Sequence, residues 1–232
     1  KQTKARMLLE MDVTLTSGNA SVLFGARDAS NVFMWSVNTL DNEKEPLIRR
    51  HIYDGGRLQS SDTPIGKFFT KSDLLNKEHH LAIEAKDGVV KTYIDKVLVD
   101  TYTDTDSKLS NGYIGFRAFR GNNTNETAMF DNIVLTEYEQ KGDKEEAKVV
   151  LKEDFEKPQS TFEEGEIVTV GGNRKLNMVS TSGDYRVLQA SMSRVPMFRK
   201  EFKAKKKIAS ARIYSSALGV YDLFINGQRV GN

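Results

Sequence analysis

The segment between residues 27 and 38 has the densest set of side chains that could bind a polar ligand. Its sequence is Arg-Asp-Ala-Ser-Asn-Val-Phe-Met-Trp-Ser-Val-Asn, where Asp28 and Asn31 bracket an expected turn and Trp35 is the only tryptophan of the chain. An aromatic face covers the C–H groups of a sugar ring, while carboxylate, amide and guanidinium groups bind its hydroxyls. We therefore predict that Asn31 and Trp35 bind carbohydrate. The alternative is structural, with Asp28 and Asn31 in an Asx turn and Trp35 in the core.

A second candidate lies in the segment Arg49-Arg50-His51-Ile52-Tyr53. Side chains alternate along a strand, so Arg49, His51 and Tyr53 share one face. Polar residues in the middle of a strand either line a concave binding face or form an ordinary solvated face. We predict Arg49 and His51 as sugar-binding residues.

Two aspartates are candidate metal ligands. Asp131 interrupts the otherwise apolar strand Phe130-Asp131-Asn132-Ile133, and a buried carboxylate is costly unless it is paired or binds a metal. Calcium prefers oxygen ligands, so we predict Ca²⁺ at Asp131 and at Asp28, as a structural or sugar-binding ion. The alternative for Asp131 is a hydrogen bond to Arg117, to Arg120 or to a loop backbone.

Catalytic groups are sparse. Glu10 and Asp12 share one face of a strand, as paired carboxylates of a glycosidase could, but the apolar residues occupy the odd positions, so we expect both acids to face solvent. His79 and His80 are adjacent and point to opposite faces, so they cannot ligate one metal together. The chain has no cysteine, which excludes thiol catalysis and disulfides. We predict that the chain itself is inactive.

Composition excludes several other classes of function. The chain has 232 residues, 38% of them hydrophobic and 28% charged, with a formal net charge of +2. It can therefore bury a core, and it lacks the basic excess of a dedicated nucleic-acid binder. No apolar run approaches the roughly 18–20 residues that a membrane-spanning helix needs. We predict no nucleic-acid partner and no membrane association.

The elements that would position these residues are strands. Apolar residues alternate with polar ones from Met7 to Leu15, which indicates a half-buried antiparallel strand. Turn signals such as Ser17-Gly18-Asn19 separate further short strand candidates, and only 71–77 could form a helical turn. The strands are predicted at 20–27, 31–38, 46–53, 79–86, 88–94, 97–103, 112–120, 127–138, 148–155, 166–170, 184–190, 197–203, 207–216 and 219–226.

The chain is expected to hold two all-β domains. Residues 139–148 contain almost nothing to bury and are typical of a linker or an exposed loop. We predict a jelly-roll sandwich over 1–142 and a second β-sandwich over 143–232. The sequence Ile225-Asn226-Gly227-Gln228 favours a two-residue hairpin near the end of the chain, and so little follows it that we expect the second domain to be incomplete.

Part of the second domain resembles a known family. The stretch Pro196-Met-Phe-Arg-Lys-Glu-Phe202 and the stretch Ile208-Ala-Ser-Ala-Arg-Ile-Tyr-Ser-Ser-Ala-Leu-Gly-Val-Tyr-Asp-Leu-Phe-Ile-Asn-Gly-Gln-Arg-Val-Gly231 resemble the start of the amino-terminal β-sandwich of bacterial α-L-rhamnosidases, glycoside hydrolase family 78. The resemblance implies a parent α-L-rhamnosidase whose catalytic acid and base sit in a separate helical barrel. It also implies a periplasmic or secreted location.

The first domain resembles concanavalin-like modules of the same enzymes, including carbohydrate-binding module family 67. The motifs that carry this resemblance are Gly25-Ala-Arg-Asp-Ala-Ser-Asn31, Phe33-Met-Trp35, Tyr93-Ile-Asp-Lys-Val-Leu-Val-Asp-Thr101, Gly112-Tyr-Ile-Gly-Phe-Arg117 and Phe130-Asp-Asn-Ile133. The same skeleton occurs in the domain named for 3-keto-disaccharide hydrolase and in laminin-G-like domains, which leaves a catalytic and a protein-binding alternative open. Family 67 implies calcium-dependent recognition of L-rhamnose at Asn31. Rhamnose-containing polysaccharide is therefore the predicted partner.

Overall fold

The fold is known from a computed structural model. It describes residues 5–28, 30–106, 108–121, 124–142, 144–157, 160–162 and 165–189, together with the backbone of 223–225 and 228–230. The chain divides into two compact units, Lys1–Ser193 and Arg194–Asn232. Within the described residues, no helix has the length and apolar character that a membrane crossing requires.

The first unit is built almost entirely from strands, and its one described helix, α1 (Lys71–Leu74), lies within the predicted helical segment. In chain order the strands are β1 (Met7–Ser17), β2 (Asn19–Asp28), β3 (Asn31–Asn38), β4 (Leu47–Asp54), β5 (Arg57–Pro64), β6 (Glu78–Lys86), β7 (Val89–Ile94), β8 (Val97–Thr103), β9 (Tyr113–Gly121), β10 (Thr124–Asn125), β11 (Thr127–Lys141), β12 (Lys144–Glu153), β13 (Glu166–Val170), β14 (Asn173–Val179) and β15 (Gly183–Leu188).

These strands form two antiparallel sheets. Sheet 1 has the order β13-β14-β11-β1-β6-β7-β8, with β12 paired to β11, and sheet 2 has the order β10-β9-β2-β3-β4-β5, with β15 paired to β9. Both sheets contribute to one hydrophobic core, and the rings of Phe116 in sheet 2 and Phe130 in sheet 1 lie 4.2 Å apart. The predicted all-β fold class is confirmed.

Strand β1 shows how the sequence pattern produces this packing. Its odd residues, from Met7 to Leu15, are buried, whereas the even residues between them are half-buried. The buried side chains face the core between the sheets, and the others lie on the outer face of sheet 1. This is the half-buried strand that the alternation predicted.

The predicted linker is wrong. Residues 139–141 end β11 and residues 144–148 begin β12, and they pair from Glu139↔Glu146 to Lys141↔Lys144. Their side chains are largely exposed, so the strands are held by backbone hydrogen bonds, which composition does not reveal. The predicted boundary after residue 142 falls inside this hairpin, and strands β12 to β15 belong to the two sheets of the first unit.

The second unit is described only at two short strands. β16 (Leu223–Ile225) pairs antiparallel with β17 (Gln228–Val230), and Ile225 is opposite Gln228. The predicted two-residue hairpin is confirmed. The strands predicted at 197–203 and 207–216 lie outside the described residues, and a second sandwich stays a prediction.

Candidate functional site

The outer face of sheet 2 carries a row of polar side chains across four neighbouring strands. Arg117 on β9 pairs with Ser21 on β2, Ser21 pairs with Ser36 on β3, and Ser36 pairs with Arg49 on β4. The two serine hydroxyls are hydrogen-bonded at 2.7 Å. We call these four residues the polar row. It has an arginine at each end and the two buried serines, Ser21 and Ser36, between them.

The Arg49 side of the polar row is held by two carboxylates. Nε and Nη2 of Arg49 donate to Oδ1 and Oδ2 of Asp62 at 3.0 and 2.9 Å, a bidentate pair across the β4–β5 hairpin. Nη2 also donates to Glu43 at 2.8 Å. These hydrogen bonds, chiefly the one to Asp62, raise the pKa of Arg49 and lower that of Asp62. The guanidinium is therefore fixed in direction and always charged.

The Arg117 side has the same composition. Nε of Arg117 donates to Asp184 on β15 at 2.7 Å, and Nη1 donates to Glu126 at 2.8 Å. Glu126 is buried and also accepts a hydrogen bond from Asn19 at 2.9 Å. Burial raises the pKa of Glu126, although its arginine partner opposes that shift. Each end of the polar row thus presents an arginine together with two carboxylates.

His51 lies in the neighbouring row, where it pairs with Met34 on β3. Burial and the nearby charges of Arg117 and Arg49 lower the pKa of this histidine, so its imidazole is neutral at pH 7. Its Nδ1 atom is buried and has no hydrogen-bond partner among the described residues. A neutral imidazole with a free ring nitrogen can accept or donate a hydrogen bond.

An aromatic row follows on the same face. Tyr113 on β9 pairs with Ala26 on β2, and Tyr53 on β4 pairs with Val32 on β3. Tyr53 packs on a small apolar cluster of this face, Leu23, Ala26, Val32 and Met34. Tyr113 is 41% exposed, and the Arg186 guanidinium lies 5.3 Å from the centre of the Tyr53 ring. We call the polar row, His51 and the two tyrosines the outer-face site.

Trp35 is not part of this surface, so the prediction that it stacks on a sugar is wrong. It is 3% exposed and points into the core. Its ring meets Phe24 edge-on at 5.0 Å and Tyr102 edge-on at 5.6 Å. A ring enclosed by other aromatic rings cannot offer its face to a ligand, so the structural alternative is the correct one.

Asp28 and Asn31 form the turn that connects β2 and β3. Oδ1 of Asp28 accepts from the backbone N–H of Ser30 at 2.8 Å, which is an Asx turn, and both its oxygens accept from Nδ2 of Asn31 at 2.9 Å. The hydrogen bond from Asn31 lowers the pKa of Asp28. Oδ1 of Asn31 in turn accepts from the backbone N–H of Gly55 at 3.0 Å. Their side chains therefore join the β2–β3 turn to the β4–β5 turn, at the end of the sheet beyond Tyr53.

Asp131 is held by neutral donors. It accepts hydrogen bonds from the backbone N–H of Asn132 at 2.7 Å and from Nδ2 of Asn173 at 2.6 Å. Of the alternatives to a metal, a hydrogen bond from the backbone is therefore observed, and a side-chain amide adds a second one. Burial raises the pKa of Asp131. It lies in sheet 1 and Asp28 lies in sheet 2, and no group of three or more His, Asp or Glu side chains that could hold a metal occurs among the described residues. Each of these two aspartates therefore has its hydrogen-bond partners within the protein and, in the described part of the chain, lacks neighbouring carboxylates to form a shared ligand set with it, whereas a calcium site needs six to eight oxygens.

Glu10 and Asp12 lie on the outer face of sheet 1, as expected. His80 is between them, with Nδ1 3.2 Å from Asp12 and Nε2 3.4 Å from Glu10. His79 instead lies 2.7 Å from Asp95, so the two histidines point to opposite faces, as predicted. The two acids are therefore separated from the outer-face site by the whole sandwich.

One comparison with known protein families matches the carboxyl-terminal end of the chain. The family model of the α-L-rhamnosidase N-terminal domain matches residues 206–232. The predicted resemblance to α-L-rhamnosidases is confirmed over this segment. No curated protein matches the chain.

Several solved structures are similar to part of this chain. The carbohydrate-binding module CBM66 from Bacillus subtilis is 25% identical over 56% of this chain and 74% of that one, with a TM-score of 0.41. A homodimeric agglutinin from chicken liver, CG-16, is 9% identical over 46% and 79%, with a TM-score of 0.37. A Bacillus licheniformis beta-glucanase is 18% identical over 48% and 50%, with a TM-score of 0.33. These scores are low, so the assignment of the fold depends on the strand pairing described above.

Proposed function

We propose that the first unit is a non-catalytic carbohydrate-binding module of an α-L-rhamnosidase and that the outer-face site binds the sugar. The polar row is the observation that carries this proposal. A sugar hydroxyl both donates and accepts hydrogen bonds, and each arginine–carboxylate pair offers a donor and an acceptor side by side. The Arg49–Asp62 and Arg117–Asp184 pairs provide this arrangement on either side of two serines.

The aromatic row supports the same proposal. Tyrosine gives an apolar ring face together with a hydroxyl, which suits the mixed surface of a sugar. We place terminal L-rhamnose with its hydroxyls toward Arg49 and His51. Its 6-deoxy methyl group then points toward Tyr113, the exposed aromatic ring of the site. Asn31 acts indirectly here, because its contacts with Gly55 position the end of β4.

The wider setting is also part of the proposal. A module of this kind holds polysaccharide near a catalytic helical barrel of the parent chain, and tethering raises the effective concentration of a weakly bound sugar. Such a polysaccharide is met outside the cytoplasm, in the periplasm or after secretion. Calcium is a proposed ligand only through the family resemblance, since Asp28 and Asp131 do not fit a site for it.

Calorimetric titration of the full chain with L-rhamnose, with and without calcium, tests the proposal. Arg49→Gln removes a charged donor while its partners Asp62 and Glu43 keep access to solvent. The loss of a charge-assisted hydrogen bond costs about 1.5–3 kcal/mol, which weakens binding roughly tenfold or more. Arg57→Gln, an exposed arginine at the tip of the same hairpin, is the matched control and should keep the affinity of the unmodified chain.

A polysaccharide with terminal L-rhamnose provides a second ligand, and the same polysaccharide after enzymatic removal of the rhamnose is its control. We expect retention in affinity electrophoresis only with the intact polysaccharide. Absence of both heat and retention, in either calcium condition, would reject carbohydrate binding. Equal retention by both polysaccharides would reject rhamnose as the ligand.

A further inference from the structure

A groove of about 390 Å³ opens beside the outer-face site. This volume falls within the range of about 300–1,000 Å³ that is common for ligand pockets. Its lining is rich in groups that bind hydroxyls, and it consists of Gly165, Glu166, Asn177, Val179, Ser180, Thr181, Ser182, Asp184 and Tyr185. None of the residues predicted from the sequence as ligands lies in it.

The groove forms where the chain crosses from one sheet to the other. β14 leaves sheet 1 after Val179, which pairs with Thr127 of β11. The chain enters sheet 2 at Gly183, which pairs with Arg120 of β9. Between them, the buried hydroxyl of Ser180 donates to the carbonyl of Gly183 at 2.8 Å. Strand pairing on both sides therefore fixes the walls of the groove.

One pair of polar side chains and one further hydroxyl are presented to the groove. Nδ2 of Asn177 donates to Oε2 of Glu166 at 2.8 Å, across the β13–β14 pair. This contact leaves the amide oxygen of Asn177 and the second carboxylate oxygen of Glu166 available as acceptors. Ser182 is exposed beside them and adds a hydroxyl. The combination of carboxylate, amide and hydroxyl repeats the chemistry of the polar row.

Asp184 connects the groove to the outer-face site. It lines the groove, and its Oδ1 accepts a hydrogen bond from Arg117 at the end of the polar row. Each carboxylate oxygen can accept about two hydrogen bonds, so Oδ1 can also bind a ligand hydroxyl. A saccharide chain that lies along the polar row reaches the groove at this residue.

We propose that the groove binds a further sugar residue of the same saccharide chain whose terminal residue occupies the outer-face site. The proposal rests on the function proposed above, and it deepens it, because it makes the preferred ligand an oligosaccharide. Asp184 is shared between the two positions. Asn177 and Glu166 position the second residue through its hydroxyls.

Calorimetry of the full chain with L-rhamnose and with α-linked rhamno-oligosaccharides of two to four residues tests this. We expect the longest probe to bind about tenfold more tightly than the monosaccharide, the gain from one or two added hydrogen bonds. Ser182→Trp, which fills the groove, and Asn177→Ala should each remove this gain and leave monosaccharide affinity unchanged. Thr169→Trp, which adds the same side chain at an exposed position of β13 outside the groove lining, is the matched control and should retain it.

The outcomes separate the two proposals. Arg49→Gln should weaken every probe by the same factor, because it acts at the outer-face site alone. If all probes bind with equal affinity, or if the gain survives Ser182→Trp, the groove is not a subsite and the outer-face site stands alone. If no probe binds, the outer-face site fails and the groove proposal fails with it. Circular dichroism of each variant shows whether it is folded.

Discussion

Truncation of the chain tests which strands the first unit needs in order to fold. A chain that ends at Gly142 contains all of the predicted first domain, but it lacks β12 to β15. The removed segment contributes buried core side chains at Leu151, Phe155, Phe162, Leu176, Met178 and Val187. At about 1.5–3 kcal/mol for each of these six side chains, roughly 9–18 kcal/mol of stabilisation by burial is lost.

That loss is comparable to the whole stability of a typical domain, which is about 5–15 kcal/mol. We therefore expect the chain 1–142 to remain unfolded, whereas the chain 1–193, which ends where the first unit ends, unfolds cooperatively. Urea titration followed by far-UV circular dichroism measures both, and size-exclusion chromatography shows compactness. A cooperative transition of similar midpoint for 1–142 would refute the assignment of β12 to β15 to this core.

Three further perturbations have definite expected results. Trp35→Ala should lower the free energy of unfolding by about 3–5 kcal/mol, measured by urea titration, because it leaves a cavity in the aromatic core. Unchanged stability together with a loss of sugar affinity would show instead that Trp35 binds the sugar. His51 has a lowered folded-state pKa, so the unfolded chain binds the proton more readily, and stability falls as the pH drops below the unfolded pKa of about 6.5. In urea titrations from pH 7 to pH 5, the free energy of unfolding of His51→Gln should therefore depend less on pH than that of the unmodified chain. His80→Gln is the matched control variant, and an unchanged pH dependence in His51→Gln would contradict the prediction. Gly18→Ala should lower Tm more than Gly142→Ala does. Both glycines have positive φ, but only at Gly18 would the new Cβ lie 2.7 Å from a backbone oxygen, that of Asn125. Equal decreases in Tm would show that this close contact is not the cause.

The sequence predicted strands well where side-chain burial decides the structure. β3 was predicted at 31–38 and is observed over Asn31–Asn38, and the alternation of β1 is observed residue by residue. β5 was missed, because nearly all its side chains are exposed and it is held by backbone pairing with β4. The first part of β12, residues 144–148, was mistaken for a linker for the same reason, whereas the rest of β12 falls within the strand predicted at 148–155. An edge strand that buries little leaves little trace in its composition.

The candidate site was predicted in part. Arg49 and His51 do share a face, since alternation along one strand is a local property. The partners Arg117 and Asp184 join Arg49 only through the register of β15, β9, β2, β3 and β4, which pairs segments far apart in the chain. Trp35 was misplaced because both faces of β3 are buried, so the pattern of this strand does not distinguish the face toward the core from the outer face of the sheet.

The strand order also determines which strand pairs of the first unit can form early during synthesis and which must form late. Strands β2 to β5 each pair with the strand that follows in the chain. In contrast, β1 pairs with the distant strand β11, where Leu9 is opposite Leu135. At 5–20 residues per second, the partner of β1 on that side emerges roughly 6–25 s later. β9 then waits for β15 to complete the Asp184 side of the polar row. Since contacts between distant segments form slowly, the Arg117–Asp184 side of the site is completed late, after the Arg49–Asp62 side has formed within its own hairpin. A chain synthesised only to residue 142 therefore contains both Arg49 and its partner Asp62, whereas the partner of Arg117, Asp184, has not yet been made.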